Sequence, residues 1–124
     1  MQDAPIESMV EALHRGHLIL DEARFRPADD RLIDGAEPAL ERTARALSRA
    51  EGRFLVFVPI ERDRTLPPDT VLGRRRAETA LRRLLAAGSN PSRLIESPDG
   101  LRRRWSLLRP VAQGQARIEL WKID

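Results

Sequence analysis

The sequence predicts an α/β fold of the α+β type, a two-layer sandwich with two long helices on one face of a mixed βαβαβ(β) sheet. Two segments have apolar residues at helical spacing. Between them, residues 54–58 are apolar on both faces, as in a central strand covered by helices. A last segment alternates apolar and polar residues, which is typical of a strand. With 124 residues, the chain has the size of one domain and needs no disulfide or metal to fold.

The N-terminal part predicts a helix followed by a strand. Apolar residues at positions 6, 9, 10 and 13 have helical spacing, and Gly16 fits a helix end. Residues 1–15 are therefore predicted to be a helical lead-in to the domain. Residues 17–25 fit a strand of mixed burial, and residues 26–35 contain the Pro, Asp and Gly residues that are typical of a loop.

The first long helix is predicted over about residues 36–50. Its apolar stripe has the spacing i, i+4, i+7 and consists of Leu40, Ala44 and Leu47. Pro38 suits the first turn of this helix, and Asp34 with Glu37 resembles a capping pair.

The second long helix is predicted over about residues 69–87, after the apolar strand at 54–58 and a polar, proline-containing loop. Gly88 is expected to end it. Its buried face is predicted to consist of Ala77, Leu81, Leu84 and Leu85.

The C-terminal part predicts short strands joined by turns. Residues 94–95 indicate a short strand, 97–100 a turn and 102–108 a further strand. Residues 116–120 alternate and predict the last strand. In that strand, Ile118 and Leu120 are expected to face inward, and Arg117 and Glu119 to face solvent.

Composition excludes several classes of function. The chain has no cysteine and only two histidines, His14 and His17, so cysteine-based metal sites and thiol catalysis are ruled out and no metal is expected. The serines lack a nucleophile-elbow context, and the glycines are too sparse for a phosphate-binding loop. We therefore expect a protein that is not an enzyme and has no cofactor.

The charge pattern and the hydropathy limit the partners. A net charge of +3, from 22 basic and 19 acidic residues, is too small to indicate nucleic acid. Arg102, Arg103 and Arg104 beside Trp105 fit the solvated side of a strand better than a phosphate-binding patch. No run of 18 apolar residues predicts a transmembrane segment, and the first residues lack a signal-peptide pattern.

Several segments, in the same order and at similar spacing, resemble one family. Residues 72–78, LGRRRAE, are similar to the Leu-Ser-x-Arg-Arg-Ala-Glu segment of OmpA-like, peptidoglycan-binding domains. In that family the segment opens a helix that ends in L-x-x-x-G and leads to x-S-R-L, as residues 84–88 and 91–94 do here. Residues 116–120 resemble the family's terminal strand. The resemblance spans about residues 9–121, and we assign residues 16–124 to an OmpA-like domain.

The resemblance implies a non-catalytic domain that holds the diaminopimelate of a peptidoglycan stem peptide. The family uses an aspartate and an arginine fifteen residues apart, which correspond to Glu61 and Arg76. Diaminopimelate is zwitterionic at its free end, so the acid takes its ammonium and the guanidinium takes its carboxylate. The predicted site residues also include Asp69 at the helix start and Arg117 in the last strand. Asp69 is expected to hold Arg76 or cap the helix rather than contact the ligand.

Departures from the family's pattern predict a degenerate site. Ile60 replaces a threonine, Asp69 an asparagine and Arg26 an aspartate. Because Glu61 is one methylene longer than aspartate, either the cleft is narrower or the acid binds Arg76 directly. Two functions stay open: a module that binds peptidoglycan stem peptide, and a protein–protein assembly domain of the same fold. The resemblance implies the periplasm or cell envelope, including the outer membrane, and leaves the cytoplasm open.

Overall fold

The computed structural model describes residues 4–59, 61, 70–96, 111–112 and 114–123. The helices in these residues are α1 (Ala4–Arg15), α2 (Glu37–Arg49) and α3 (Thr70–Ala86), and a short 3-10 turn lies at Pro91–Arg93. The strands are β1 (His17–Arg24), β2 (Phe54–Phe57), β3 (Leu94–Glu96) and β4 (Arg117–Lys122). The elements predicted for these parts of the chain are confirmed, with ends that differ by one to two residues.

The four strands form one mixed sheet in the order β1-β4-β2-β3. β4 lies between β1 and β2 and is antiparallel to both, whereas β2 and β3 are parallel. Leu120 of β4 is paired with Leu18 on one side and with Val56 on the other. The parallel pair is joined through α3, as expected of a strand–helix–strand unit. β2 is thus an interior strand, which agrees with its apolar sequence.

The helices cover one face of this sheet and enclose the core with it. Residues in register across the sheet share a face, so Leu18, Leu120 and Val56 point to the same side. The same buried cluster includes residues from each of the three helices, among them Ile6, Leu13, Leu40, Leu47, Ala80 and Leu84. The predicted packing of both long helices on one face is confirmed. α1 contributes to this core, and the boundary between residues 15 and 16 remains a prediction.

α2 begins without the capping pair predicted from its sequence. The N-cap residue is Ala36, and no side chain in the described part of the chain caps the first turn. Asp34 instead lies 3.5 Å from the Arg26 guanidinium, and Glu37 binds Arg83 of α3 at 2.5 Å. The prediction was wrong because the N-cap is Ala36, two residues after Asp34, and Glu37 pairs with Arg83 instead. Pro38 does lie in the first turn, as predicted.

α3 ends as predicted but is rotated slightly from the predicted apolar face. Gly88 has a φ of 112°, and the Ser89 N–H donates to the Leu84 carbonyl at 3.1 Å. This is the glycine-terminated arrangement that satisfies the last carbonyls of a helix. Ala77 and Leu84 are buried, whereas Leu81 and Leu85 are only partly buried at the edge of the core.

Glu119 does not point to solvent, contrary to the prediction from strand alternation. Ile118 and Leu120 are fully buried as predicted and Arg117 is partly exposed, but Glu119 is only 7% exposed. Its carboxylate accepts hydrogen bonds from His17 Nε2 at 3.0 Å and Trp121 Nε1 at 3.1 Å. The rings of His17 and Trp121 stack over one another and help to cover it. The rule fails because side chains of β1 and β4 on this face supply hydrogen bonds to the carboxylate.

The remaining sequence predictions lie outside the described residues. These are the turn at 97–100, the strand at 102–108 and the placement of Asp69. Among the described helices, none is both long and apolar enough to cross a membrane.

Ser89→Ala should stabilise the fold by about 1 kcal/mol. The Ser89 hydroxyl, just after α3, is buried and has no hydrogen-bond partner among the described residues. A buried hydroxyl without a partner costs about 1–3 kcal/mol, and alanine removes that cost while leaving little empty space. Urea unfolding measures the change, with Ser48→Ala as the control because the Ser48 hydroxyl is exposed and bonded to the Arg45 carbonyl. A clear loss of stability in Ser89→Ala would contradict this account.

Candidate functional site

The structure brings Glu61 and Arg76 together at the end of β2. Glu61 follows β2 by four residues and pairs with Val111 in an isolated parallel bridge. Arg76 lies in the second turn of α3, which begins at Thr70. The carboxyl end of an interior strand therefore meets the N-terminal part of a helix. The family resemblance implies that these two residues belong to one site, and here they are in contact. Their role in ligand binding stays a prediction.

Glu61 and Arg76 form a direct, buried ion pair. Arg76 Nη1 donates to Glu61 Oε1 at 2.6 Å, and the side chains are 2% and 10% exposed. The second carboxylate oxygen, Oε2, accepts a hydrogen bond from the Gly114 N–H. Both oxygens of Glu61 thus have partners within the chain. Of the two arrangements predicted for a glutamate at this position, the structure has the one in which the acid binds Arg76 directly.

The rest of the Arg76 guanidinium is also bound within the protein. Nε donates to the Asp29 carbonyl at 2.7 Å, and Nη2 donates to the Arg26 carbonyl at 2.9 Å. The guanidinium carbon lies 5.3 Å from the centre of the Phe25 ring, within the range of a cation–π contact. All three guanidinium nitrogens therefore donate to the chain, which explains how a charged side chain can be almost completely buried.

The loop between β1 and α2 presents the two carbonyls to Arg76. It is closed by a bridge between Phe25 and Leu32, and the Arg26 N–H donates to the Arg31 carbonyl at 2.9 Å. Ala28 has a φ of 55°, which lets the chain reverse direction within a few residues. The Arg26 and Asp29 carbonyls consequently point inward, while the Arg26 side chain lies at the surface beside Asp34.

Arg117, the fourth predicted site residue, has other partners. Its guanidinium pairs with Asp21 on the neighbouring strand and donates to Gln115 Oε1 at 3.3 Å. Its side chain is 32% exposed, in contrast to Arg76. Asp69, the remaining predicted residue, lies outside the described part of the chain. Ligand binding by Arg117 or Asp69 stays a prediction.

Sequence reasoning did not identify Gly114, Asp29 or the backbone of Arg26 as parts of this site. Each of them contributes a backbone N–H or carbonyl. Every residue other than proline carries an N–H, and every residue carries a carbonyl, so the residue types give no signal of this role. The described residues include no group of three or more His, Asp or Glu side chains that could hold a metal ion.

Comparison with known structures finds the same fold in periplasmic domains of MotB. One such domain, spanning residues 64–256 of its protein, has a TM-score of 0.59 at 13% identity, over 87% of this chain and 62% of that one. Two from Helicobacter pylori have TM-scores of 0.57 and 0.56 at 14% and 18% identity. They are covered over 78% and 72% of their length, by 85% and 87% of this chain.

These likenesses establish the fold. The chain has the OmpA-like α/β fold of the MotB periplasmic domains. It spans less than two-thirds of the first of them. No protein-family model matches the sequence, and no curated protein matches it by sequence.

Proposed function

We propose that this chain is a non-catalytic domain of the bacterial cell envelope whose site for peptidoglycan stem peptide is degenerate. The fold, shared with periplasmic domains of MotB, supports the envelope assignment. The pairing of Glu61 with Arg76, at the positions that correspond to the family's two ligand-binding residues, supports a common origin of the site.

One observation supports degeneracy most directly. Binding a diaminopimelate carboxylate requires a guanidinium edge that can donate two parallel hydrogen bonds. Each nitrogen of the Arg76 guanidinium instead donates to Glu61, Arg26 or Asp29, and the side chain is 2% exposed. A ligand would have to displace Glu61 to gain a charged contact with Arg76. The free energy of that displacement opposes binding, so we expect the affinity to be weak or absent.

The second candidate function is protein–protein assembly through the same fold. A buried ion pair with all its nitrogens bonded stabilises one arrangement of the loop, α3 and the segment at residue 114. Such an arrangement suits a domain that presents a fixed surface. We favour this role over the holding of stem peptide, and we expect neither nucleic acid nor a cofactor to be involved.

Titration with a stem peptide that contains diaminopimelate tests the degenerate site. We expect no saturable chemical-shift change in ¹⁵N-labelled protein at millimolar peptide, because the Arg76 guanidinium is already bound to the Glu61 carboxylate. The amides of Gly114 and Asp29 are the reporters, since both residues contact the pair. An alanine-for-diaminopimelate peptide serves as the control for nonspecific shifts. Saturable binding of the diaminopimelate peptide that Arg76→Met abolishes, in a folded variant, would contradict degeneracy.

A further inference from the structure

We infer that Glu61 is a built-in ligand: its carboxylate fills a preformed carboxylate-binding site made by the Arg76 guanidinium and the Gly114 N–H. The inference rests on the proposed function, because it assigns a cause to the loss of external binding. The site binds a small carboxylate and is filled by the chain's own Glu61. Glu61 must move away before another carboxylate can bind.

The contacts of Glu61 are those of a bound anion. One oxygen accepts from Arg76 Nη1 at 2.6 Å, and the other accepts from the backbone N–H of Gly114. The two donors lie on different segments and converge on one carboxylate. A guanidinium and a backbone N–H are the groups that proteins commonly use to bind carboxylates. Side-chain exposure of 10% for Glu61 shows that the anion position is largely withdrawn from water.

The cation does not depend on Glu61 for its orientation. The Asp29 carbonyl binds Nε at 2.7 Å, the Arg26 carbonyl binds Nη2 at 2.9 Å, and Phe25 lies against the guanidinium. These three contacts all come from the loop between β1 and α2. When the Glu61 side chain is removed, Nη1 remains directed at the vacated position and the positive charge there lacks its counter-ion. A dissolved carboxylate of similar size can then replace it.

The covalent attachment of Glu61 explains why the unaltered chain would exclude external carboxylates. A group tethered beside its binding site competes as if present at a high effective concentration, so a dissolved carboxylate at millimolar concentration is outcompeted. The position of the Glu61 side chain thereby determines whether an external carboxylate can bind. Any factor that withdraws Glu61 from Arg76 would open a cationic site for a carboxylate.

Rescue by acetate tests this inference. Glu61→Ala removes the internal carboxylate, and urea unfolding is measured in sodium acetate and in sodium chloride at equal ionic strength and pH 7. If acetate binds with a dissociation constant of about 20 mM, 200 mM acetate raises the folding equilibrium constant about 11-fold over chloride. The rise should saturate with acetate concentration. If Glu61→Ala is unfolded in chloride, the same titration is followed as recovery of its circular dichroism.

Two comparisons make the result specific. Glu61→Gln keeps the volume of the side chain and leaves no space for acetate. In this variant and in the unaltered protein, acetate should therefore raise the folding equilibrium constant no more than about 1.5-fold over chloride. Glu61→Ala combined with Arg76→Met should lose the acetate response. Equal effects of acetate and chloride on Glu61→Ala would overturn the inference.

The acetate experiment and the stem-peptide titration can fail separately. Saturable binding of diaminopimelate peptide by the unaltered chain would refute the degenerate site. The acetate experiment would still decide whether Glu61 fills a carboxylate-binding site. Absence of acetate rescue would refute the built-in ligand even if the unaltered chain binds no peptide. The loss of stem-peptide binding would then have another cause.

Discussion

Arg76→Met should lower the free energy of unfolding by about 3–5 kcal/mol, the range for removing one partner of a buried ion pair. Methionine retains most of the apolar volume, so the loss reflects charge and hydrogen bonding more than packing. Glu61 would keep a largely buried negative charge with only the Gly114 N–H as a described partner. The Asp29 and Arg26 carbonyls would also lose the donors that now bind them.

Urea unfolding followed by circular dichroism measures this loss against a matched control. Arg75→Met makes the same change one residue earlier in α3, at an exposed position, and should alter stability by no more than about 0.5 kcal/mol. The double variant Glu61→Gln with Arg76→Met should recover part of the loss, since the unpaired charge is gone. A loss below about 1 kcal/mol in Arg76→Met would show that water already solvates the pair.

Much of this site could be predicted because its charged members are recognisable in the sequence. The resemblance to OmpA-like domains pairs Glu61 with Arg76, and the two side chains are in contact in the structure. The element order supports the same placement, because a strand that leads into a helix brings its last residues close to the first turns of that helix. The motif and the topology thus point to the same pair.

The orientation of Arg76 could not be predicted, because backbone groups fix it. The Arg26 and Asp29 carbonyls reach the guanidinium only because the loop between β1 and α2 reverses through Ala28, whose φ is 55°. Alanine rarely adopts such a conformation, and nothing in its side chain signals it. The backbone conformation of a loop depends on its contacts with distant residues, and the conformational preference of a single residue does not reveal those contacts.

The burial of Glu119 shows a second limit of sequence patterns. An apolar–polar alternation predicts one face in water, yet Leu55 and Phe57 of neighbouring β2 are each 1% exposed. These two residues lie on the face of the sheet opposite the helices, in register with Trp121 and Glu119. A polar residue on that face is buried when its neighbours supply hydrogen bonds, as His17 and Trp121 do.

Leu84→Ala should cost about 2–5 kcal/mol, the range for removing a fully buried leucine side chain. Leu84 is 0% exposed and belongs to the core between α3 and the sheet. Leu81, three residues earlier and about 60° around the same helix, is only partly buried against this core. Leu81→Ala should therefore cost less, about 1–2 kcal/mol, because less apolar area returns to water and a smaller cavity remains.

The order of the two losses determines which face of α3 is buried. Both variants are measured by urea unfolding, with Val71→Ala as the control because Val71 is 60% exposed near the start of the same helix. That control should change stability by no more than about 0.5 kcal/mol. If Leu81→Ala costs more than Leu84→Ala, the helix is rotated relative to this structure. Arg76 lies eight residues before Leu84, about 80° around the helix and on the side away from Leu81. Such a rotation would therefore also move Arg76 away from Glu61.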